Sequence, residues 1–453
     1  MRAPPFEAPA GGGVRGCAAA SRGRGKPLPY NTICAGAAAA LLALLLAAPI
    51  QAQDDVSYTV ELTLDAENAT LTGTAALTLT NTSDAPLSSV PLVLYPNRFR
   101  EIDPAIDDFN FDRFYVPWFT HGHLDLTRVT NAEGQELTLT TPESPDLHAE
   151  IPRHVLTLVT LSAPLAPGET LQLDLAFSGE VPERLGTYGH RDERFVLEAG
   201  FVPYVPHDAD LFAPPVPATW DVSVRVTGDI DRDDGWNVLI GGQAASEEQG
   251  TYRRTLSGSP PSLAVGEDML QLRHLSAIGS VPSFTVYGEE GDEDRADRII
   301  RVAQDATQFL ATYYLPDHAD NGALAFIQAP LRDRFVHAPP SEGVIFYSNR
   351  LFHLFVLLQR FHELEVARGV FVARVRQHLA AVDLGADRDW VCEAIGWLIT
   401  IDWVQGRGGV NGRQVREGLG FLSFIPAIDR LLNAPRFPGS DLFYGRFYEA
   451  ADS

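Results

Sequence analysis

From Val56 to Leu256 the chain keeps returning to one pattern, apolar residues alternating with threonine or an acid. Tyr58-Thr59-Val60-Glu61-Leu62-Thr63-Leu64 and Leu71-Thr72-Gly73-Thr74-Ala75-Ala76-Leu77-Thr78-Leu79-Thr80 show it most fully, with the turn-former Asn68 between them. Successive side chains of a strand point to opposite faces, so a period of two buries one face of a sheet and cannot gather its apolar residues on one side of a helix. Further short runs at Val90–Tyr95, His154–Leu161, Leu171–Phe177, Trp220–Val226, Trp236–Ile240 and Tyr252–Leu256 are separated by Pro, Gly, Asp and Asn. Many short strands between turn signals predict an antiparallel β-sandwich or curved sheet over about 220 residues.

The pattern changes after the strand-like Ser283–Tyr287, at the acidic turn Gly288-Glu289-Glu290-Gly291-Asp292-Glu293-Asp294. Ile299, Ile300, Val302, Ala303, Ala306, Phe309 and Leu310 then recur at helical spacing, predicting a helix over Ala296–Tyr314. Short apolar strands are expected at Leu324–Gln328 and Pro339–Tyr347, and helices at Asn349–Leu379 and Asp389–Val404. A β region followed by mixed strands and helices is a multidomain α+β arrangement. The expected division is a leader over 1–52, a β domain over 53–281 and an α+β domain over 282–453.

The leader holds Arg2, Arg15, Arg22, Arg24 and Lys26 against the single acid Glu7, then the Ala/Leu-rich run Ile33–Ile50, then Gln51-Ala52-Gln53. A basic start, a short apolar core and a small residue before a polar stretch describe a secretory signal peptide, so the protein is expected to be exported, periplasmic or extracellular, and to begin near Gln53. If the run is not cleaved, it is the one expected contact with a membrane. Formal net charge is −24 while the leader carries +4, leaving −28 for the rest. Phosphate backbones require a basic face, so nucleic acid is excluded as a partner. Hydrophobic residues make up 45% of the chain, enough for substantial cores. Cys392 is the only cysteine outside the leader, so those cores must form without an internal disulfide.

One stretch carries chemistry. Phe361-His362-Glu363-Leu364-Glu365-Val366 places a His-Glu pair on a helix, and Trp390-Val391-Cys392-Glu393-Ala394 places a further Glu on the next one. In the zinc motif H-E-x-x-H two imidazoles four residues apart stack on one helix face and converge on one ion. The position of the second is Val366, which cannot coordinate. Glu365, three residues after His362, shares its face and gives a rearranged set of His362, Glu365 and Glu393. The plainer alternatives also stand: His362 as a hydrogen-bonded helix residue, Glu363 and Glu365 pairing with Arg360 and Arg368, and Glu393 held by an arginine, since a carboxylate on an apolar helix needs a partner.

The order of these features resembles the membrane alanyl aminopeptidase and leukotriene hydrolase family, gluzincin zinc metallopeptidases. The resemblance runs from Val56 to about Trp397 and includes Leu94-Tyr95-Pro96-Asn97, similar to the family's LYPN segment. It implies an N-terminal β-saddle followed by a thermolysin-like α+β domain. Ser341-Glu342-Gly343-Val344-Ile345-Phe346 resembles the family's G-x-M-E-N loop and strand, which implies that Glu342 binds a substrate's free amine. By the same resemblance His362 is the first zinc ligand, Glu363 the general base and Glu393 the third ligand, about eight residues beyond its usual spacing. Tyr444, in Phe443-Tyr444-Gly445-Arg446, matches the tyrosine that steadies an oxyanion. The larger members carry a helical C-terminal domain, relative to which 282–453 is expected to be incomplete.

One His and one carboxylate rarely hold zinc against buffer, so the expectation is that zinc is not bound here. Two readings follow. In one the protein is a non-catalytic relative that binds peptide or protein N-termini or acts as a scaffold. In the other it is a divergent zinc aminopeptidase that hydrolyses N-terminal residues through Glu363.

Overall fold

The computed structural model describes residues 56–408, apart from 104–105, 109, 117, 142–154, 207–214, 229–234, 279–280, 316–321, 340–342, 354–358, 380–381, 383 and 385–387. The expected leader, Glu342 and Tyr444 lie outside the described residues. No described helix is long and apolar enough to cross a membrane.

A seven-stranded sheet carries the alternating sequence. Its order is β13 (Ser246–Glu248), β14 (Thr251–Gly258), β10 (Ala218–Thr227), β1 (Val56–Asp65), β2 (Thr70–Thr80), β7 (Thr170–Glu180) and β4 (His123–Asn131). All its pairings are antiparallel except β1 with β10. Val56, Tyr58, Val60, Leu62 and Leu64 of β1 are buried while the residues between them reach solvent to differing degrees, as the period of two requires. Tyr58 stacks on Trp220 of β10 at 4.0 Å between centroids, one of the cross-strand pairs that fix register.

Two smaller sheets complete the β region. One joins β3 (Leu87–Val93), β6 (Leu156–Leu165) and β5 (Thr138–Thr140); the other runs β12 (Gln243–Ala244), β11 (Asn237–Ile240), β15 (Leu263–Gly266), β9 (Arg194–Leu197) and β8 (Tyr188–Arg191). Tyr95, expected to end a strand, instead starts a 3-10 turn over Tyr95–Arg100, because Pro96 lacks the N–H that a ladder needs.

The remaining sheet is mixed, in the order β16 (Leu270–Leu275), β17 (Phe284–Gly288), β18 (Leu324–Ala329), β20 (Val344–Ser348) and β19 (Val336–His337), with β17, β18 and β20 parallel. Every residue of β17, β18 and β20 is buried. Uniform burial arises because both faces are covered, as is usual for parallel strands. Phe284, Val286, Leu324, Phe326, Ile345 and Tyr347 join the helices in one core. Tyr287, Ala325, Ile327, Val344 and Phe346 pack against Val196, Leu239 and Ala264 of the β8–β15 sheet in another.

Three α-helices follow among the described residues: α1 (Glu293–Tyr313) and α2 (Gln359–His378) pack on the first face, and α3 (Arg388–Gly408) packs mainly on α2. No α-helix precedes α1 among the described residues, and the architecture is a sheet-rich, multi-sheet α+β fold. Helix α1 opens with Glu293 and Asp294, which favour the positive end of the helix dipole, and buries Ala296, Ile299, Val302, Ala303, Ala306 and Leu310. The expected helix over Asn349–Leu379 needs correction at its start. Leu351–His353 form a turn, with Phe352 at φ 65°, a left-handed conformation that costs a bulky residue about 1–2 kcal/mol.

Candidate functional site

The candidate residues lie where α2 packs on α3. A Cβ on Gly396 of α3 would meet Val372 Cγ2 of α2 at 2.5 Å, so glycine lets the two helices approach closely there. The register that results sets Asp389 beside Arg376 and Trp397 beside Arg368. It also brings Glu393, 6% exposed, to the basic side chains of α2.

Glu365 and Glu393 come together, and the cation between them is arginine. Arg368 Nη2 lies 2.8 Å from Glu365 Oε2, and its Nη1 lies 3.5 Å from Glu393 Oε2. Arg376 Nη2 is 3.7 Å from the other oxygen of Glu393 and its Nε is 3.2 Å from Asp389. Arg368 also donates to the Val336 carbonyl at 3.4 Å and lies 5.3 Å from the ring centroid of Trp397, with 14% of its side chain exposed. The chain thus uses the planar, permanently charged guanidinium that suits a buried carboxylate pair.

His362 stands elsewhere. It is fully buried, its ring 4.3 Å from Phe335 and 5.6 Å from Phe352 between centroids. Its Nδ1 accepts the Phe352 backbone N–H at 2.8 Å, a bond that the left-handed turn at Phe352 presents. An amide can only donate, so Nδ1 holds the lone pair and the neutral ring carries its hydrogen on Nε2, which has no partner among the described residues. Desolvation, with the positive charges of Arg298 and Arg350 behind it, pulls the His362 pKa down to about 4.

The position after Glu365 is closed. Val366 is 0% exposed within the helix and sheet core. Glu363 points to α1, 3.8 Å from Arg298. Cys392, buried beside Glu393, has its thiol pushed up to about 12 by desolvation, which leaves it inert as a nucleophile. His362 is six residues before Arg368, about 9 Å along the helix at 1.5 Å per residue, so the lengthened spacing to Glu393 lands that carboxylate away from the histidine.

The donor set expected from the sequence therefore does not fit zinc. Of the ring nitrogens of His362, one accepts an amide and the other bears hydrogen; the two carboxylates hold guanidinium groups; and the fourth position is valine. Val366→His puts a polar ring into a filled core. It is expected to lower stability by about 1–3 kcal/mol without raising zinc content, which thermal melts and elemental analysis would check.

Among the described residues one group of His, Cys, Asp or Glu does bring three ligand atoms within 4.8 Å of one another: His121, His123 and Glu180, at the β4 edge of the seven-stranded sheet. Sequence reasoning missed it because β4 was not recognised as a strand. The available signal was His121-Gly122-His123, whose spacing puts both rings on one face of an extended chain.

No family model matches the chain, and no curated protein matches it. Solved structures do. The M1 zinc metallopeptidase of Deinococcus radiodurans is 18% identical with a TM-score of 0.45, over 82% of this chain and 76% of that one. A point mutant of it bound to a Tyr-Ser-Ala substrate gives 18% and 0.47 over the same shares. A two-domain M1 zinc metallopeptidase mutant bound to L-arginine gives 18% and 0.45, over 81% of this chain and 75% of that one. Likeness at this level transfers no residue role to this chain.

Proposed function

We propose that this protein is an exported, non-catalytic relative of the gluzincin aminopeptidases, a β-saddle joined to a thermolysin-like domain, that binds peptide or protein N-termini without hydrolysing them. One observation carries the reading: the two carboxylates that a rearranged metal site would use, Glu365 and Glu393, share the guanidinium of Arg368. A fixed cation between them neutralises both carboxylates and occupies the oxygens that a metal would need. The tautomer held by Phe352 and the buried Val366 support the same reading, in which the zinc motif is degraded. Glu342 is the residue proposed to receive the free amine of the bound peptide.

The test uses the secreted chain with free and N-acetylated peptides, in zinc-supplemented buffer. No hydrolysis above that of the Glu363→Gln variant is expected, and metal content should not change in His362→Ala. Binding should be weaker for acetylated peptides than for free ones. Turnover together with one zinc that disappears in His362→Ala would instead make the chain a divergent zinc aminopeptidase acting through Glu363.

A further inference from the structure

At the edge of the seven-stranded sheet, β4 begins with His123 directly opposite Glu180, the last residue of β7. His121 lies two residues before the strand pairing begins. Glu180 Oε2 is 3.1 Å from His121 Nε2 and 3.9 Å from His123 Nδ1. Donors bound to one zinc ion at about 2.0–2.2 Å sit roughly 3–4 Å from each other, so this trio needs little movement to close on a cation.

The backbone holds the trio in place. A Cβ at Gly122, between the two histidines, would meet Pro182 Cδ at 2.5 Å, and the Gly122 N–H donates to the Phe99 carbonyl at 2.8 Å. Across the ladder, a Cβ at Gly179 would meet the His123 carbonyl oxygen at 2.1 Å. Two glycines thus allow a close approach that side chains would prevent, fixing the His-Gly-His segment against the end of β7.

A carboxylate also stands near the second nitrogen of His123, just outside direct hydrogen-bond distance. His123 Nε2 faces Asp125 Oδ2 at 3.8 Å, and the other oxygen of Asp125 is held by Arg100, whose Nε donates to Asn97 at 3.0 Å. A carboxylate behind a ligating imidazole is the usual outer partner of a metal-bound histidine, fixing its tautomer and raising its basicity. His121 and Glu180 keep 64% and 46% of their side-chain surface exposed, so water can complete the coordination.

We propose that His121 Nε2, His123 Nδ1 and a Glu180 carboxylate oxygen bind one divalent transition-metal ion of the zinc type. The ion ties the edge strand β4 to β7, outside the α2 and α3 helices that carry His362 and Glu393. Two imidazoles and one carboxylate select this class over calcium or magnesium, which prefer all-oxygen sites.

Zinc sulfate titrated calorimetrically into the metal-stripped full chain tests this. One zinc per chain is expected, and zinc should raise the melting temperature. His121→Ala, His123→Ala and Glu180→Gln should each abolish the saturable heat and the thermal shift, while Asp125→Asn should weaken binding about 10–100-fold. His362→Ala should leave both unchanged. Cobalt(II) absorption lost in the same variants gives a readout independent of stability. Absence of saturable zinc binding, or binding that survives the His121→Ala/His123→Ala double variant, overturns the site. Binding that is lost only in His362→Ala overturns it too, and takes the non-catalytic reading with it.

Discussion

Arg368→Ala is expected to destabilise the protein by about 1–3 kcal/mol, because Glu365 loses its charged hydrogen-bond partner while Glu393 keeps Arg376 at 3.7 Å. The side chains of Glu365, Glu393 and Arg368 keep only 10%, 8% and 14% of their surfaces, so water replaces the lost cation poorly. Urea denaturation of wild type and variant measures the loss. Adding Glu365→Gln to Arg368→Ala should recover part of it, because an amide tolerates that environment without a counter-charge, and the double-mutant cycle isolates the coupling. A loss below about 1 kcal/mol would class the pair with solvent-exposed bridges and remove the main support for a fixed cation between the helices.

The second large effect is on pH dependence, through His362. Its pKa lies at about 4 in the fold against 6.5 for the free side chain, so the folded state binds fewer protons than the unfolded chain between those values. Its contribution to stability is therefore fully present above pH 6.5 and is lost as pH falls towards 4, by about 3 kcal/mol in total. Protonation would also put a hydrogen on Nδ1, against the Phe352 N–H that now donates to it. Denaturation midpoints measured across this window should fall more steeply in wild type than in His362→Gln, which retains an acceptor but cannot titrate. Parallel profiles for the two proteins would contradict the tautomer and the buried setting assigned to this ring.

The sequence by itself determined the elements whose pattern is local. The period of two over Tyr58–Leu64 and Leu71–Thr80 became β1 and β2, because one face of each lies in the core and the other does not. The helical spacing from Ile299 to Leu310 became α1 for the same kind of reason. Arg194–Leu197 and Leu263–Gly266 were not legible as strands, since four residues are too few to show a period and both faces are covered: Phe195, Leu197, Leu263 and Val265 by the core of the β region, Val196 and Ala264 by β17, β18 and β20. The break before α2 was also hidden. Nothing in the neighbours of Phe352 marks a left-handed turn; that turn is accompanied by the bond its N–H makes to His362, ten residues later.

At the site the division is sharper. The need of Glu393 for a partner could be read from its apolar helix, and Val366 showed that a ligand was missing. Which cation meets the carboxylate depends on the register of α3 against α2, set by the close contact of Gly396 with Val372, and no spacing along the chain encodes that contact. The cluster at His121, His123 and Glu180 likewise joins residues nearly sixty apart, which only the antiparallel pairing of β4 with β7 brings opposite each other. Local periodicity follows from adjacent residues and so is written in the chain, whereas the charge that faces a buried carboxylate or imidazole is decided by how separate elements pack.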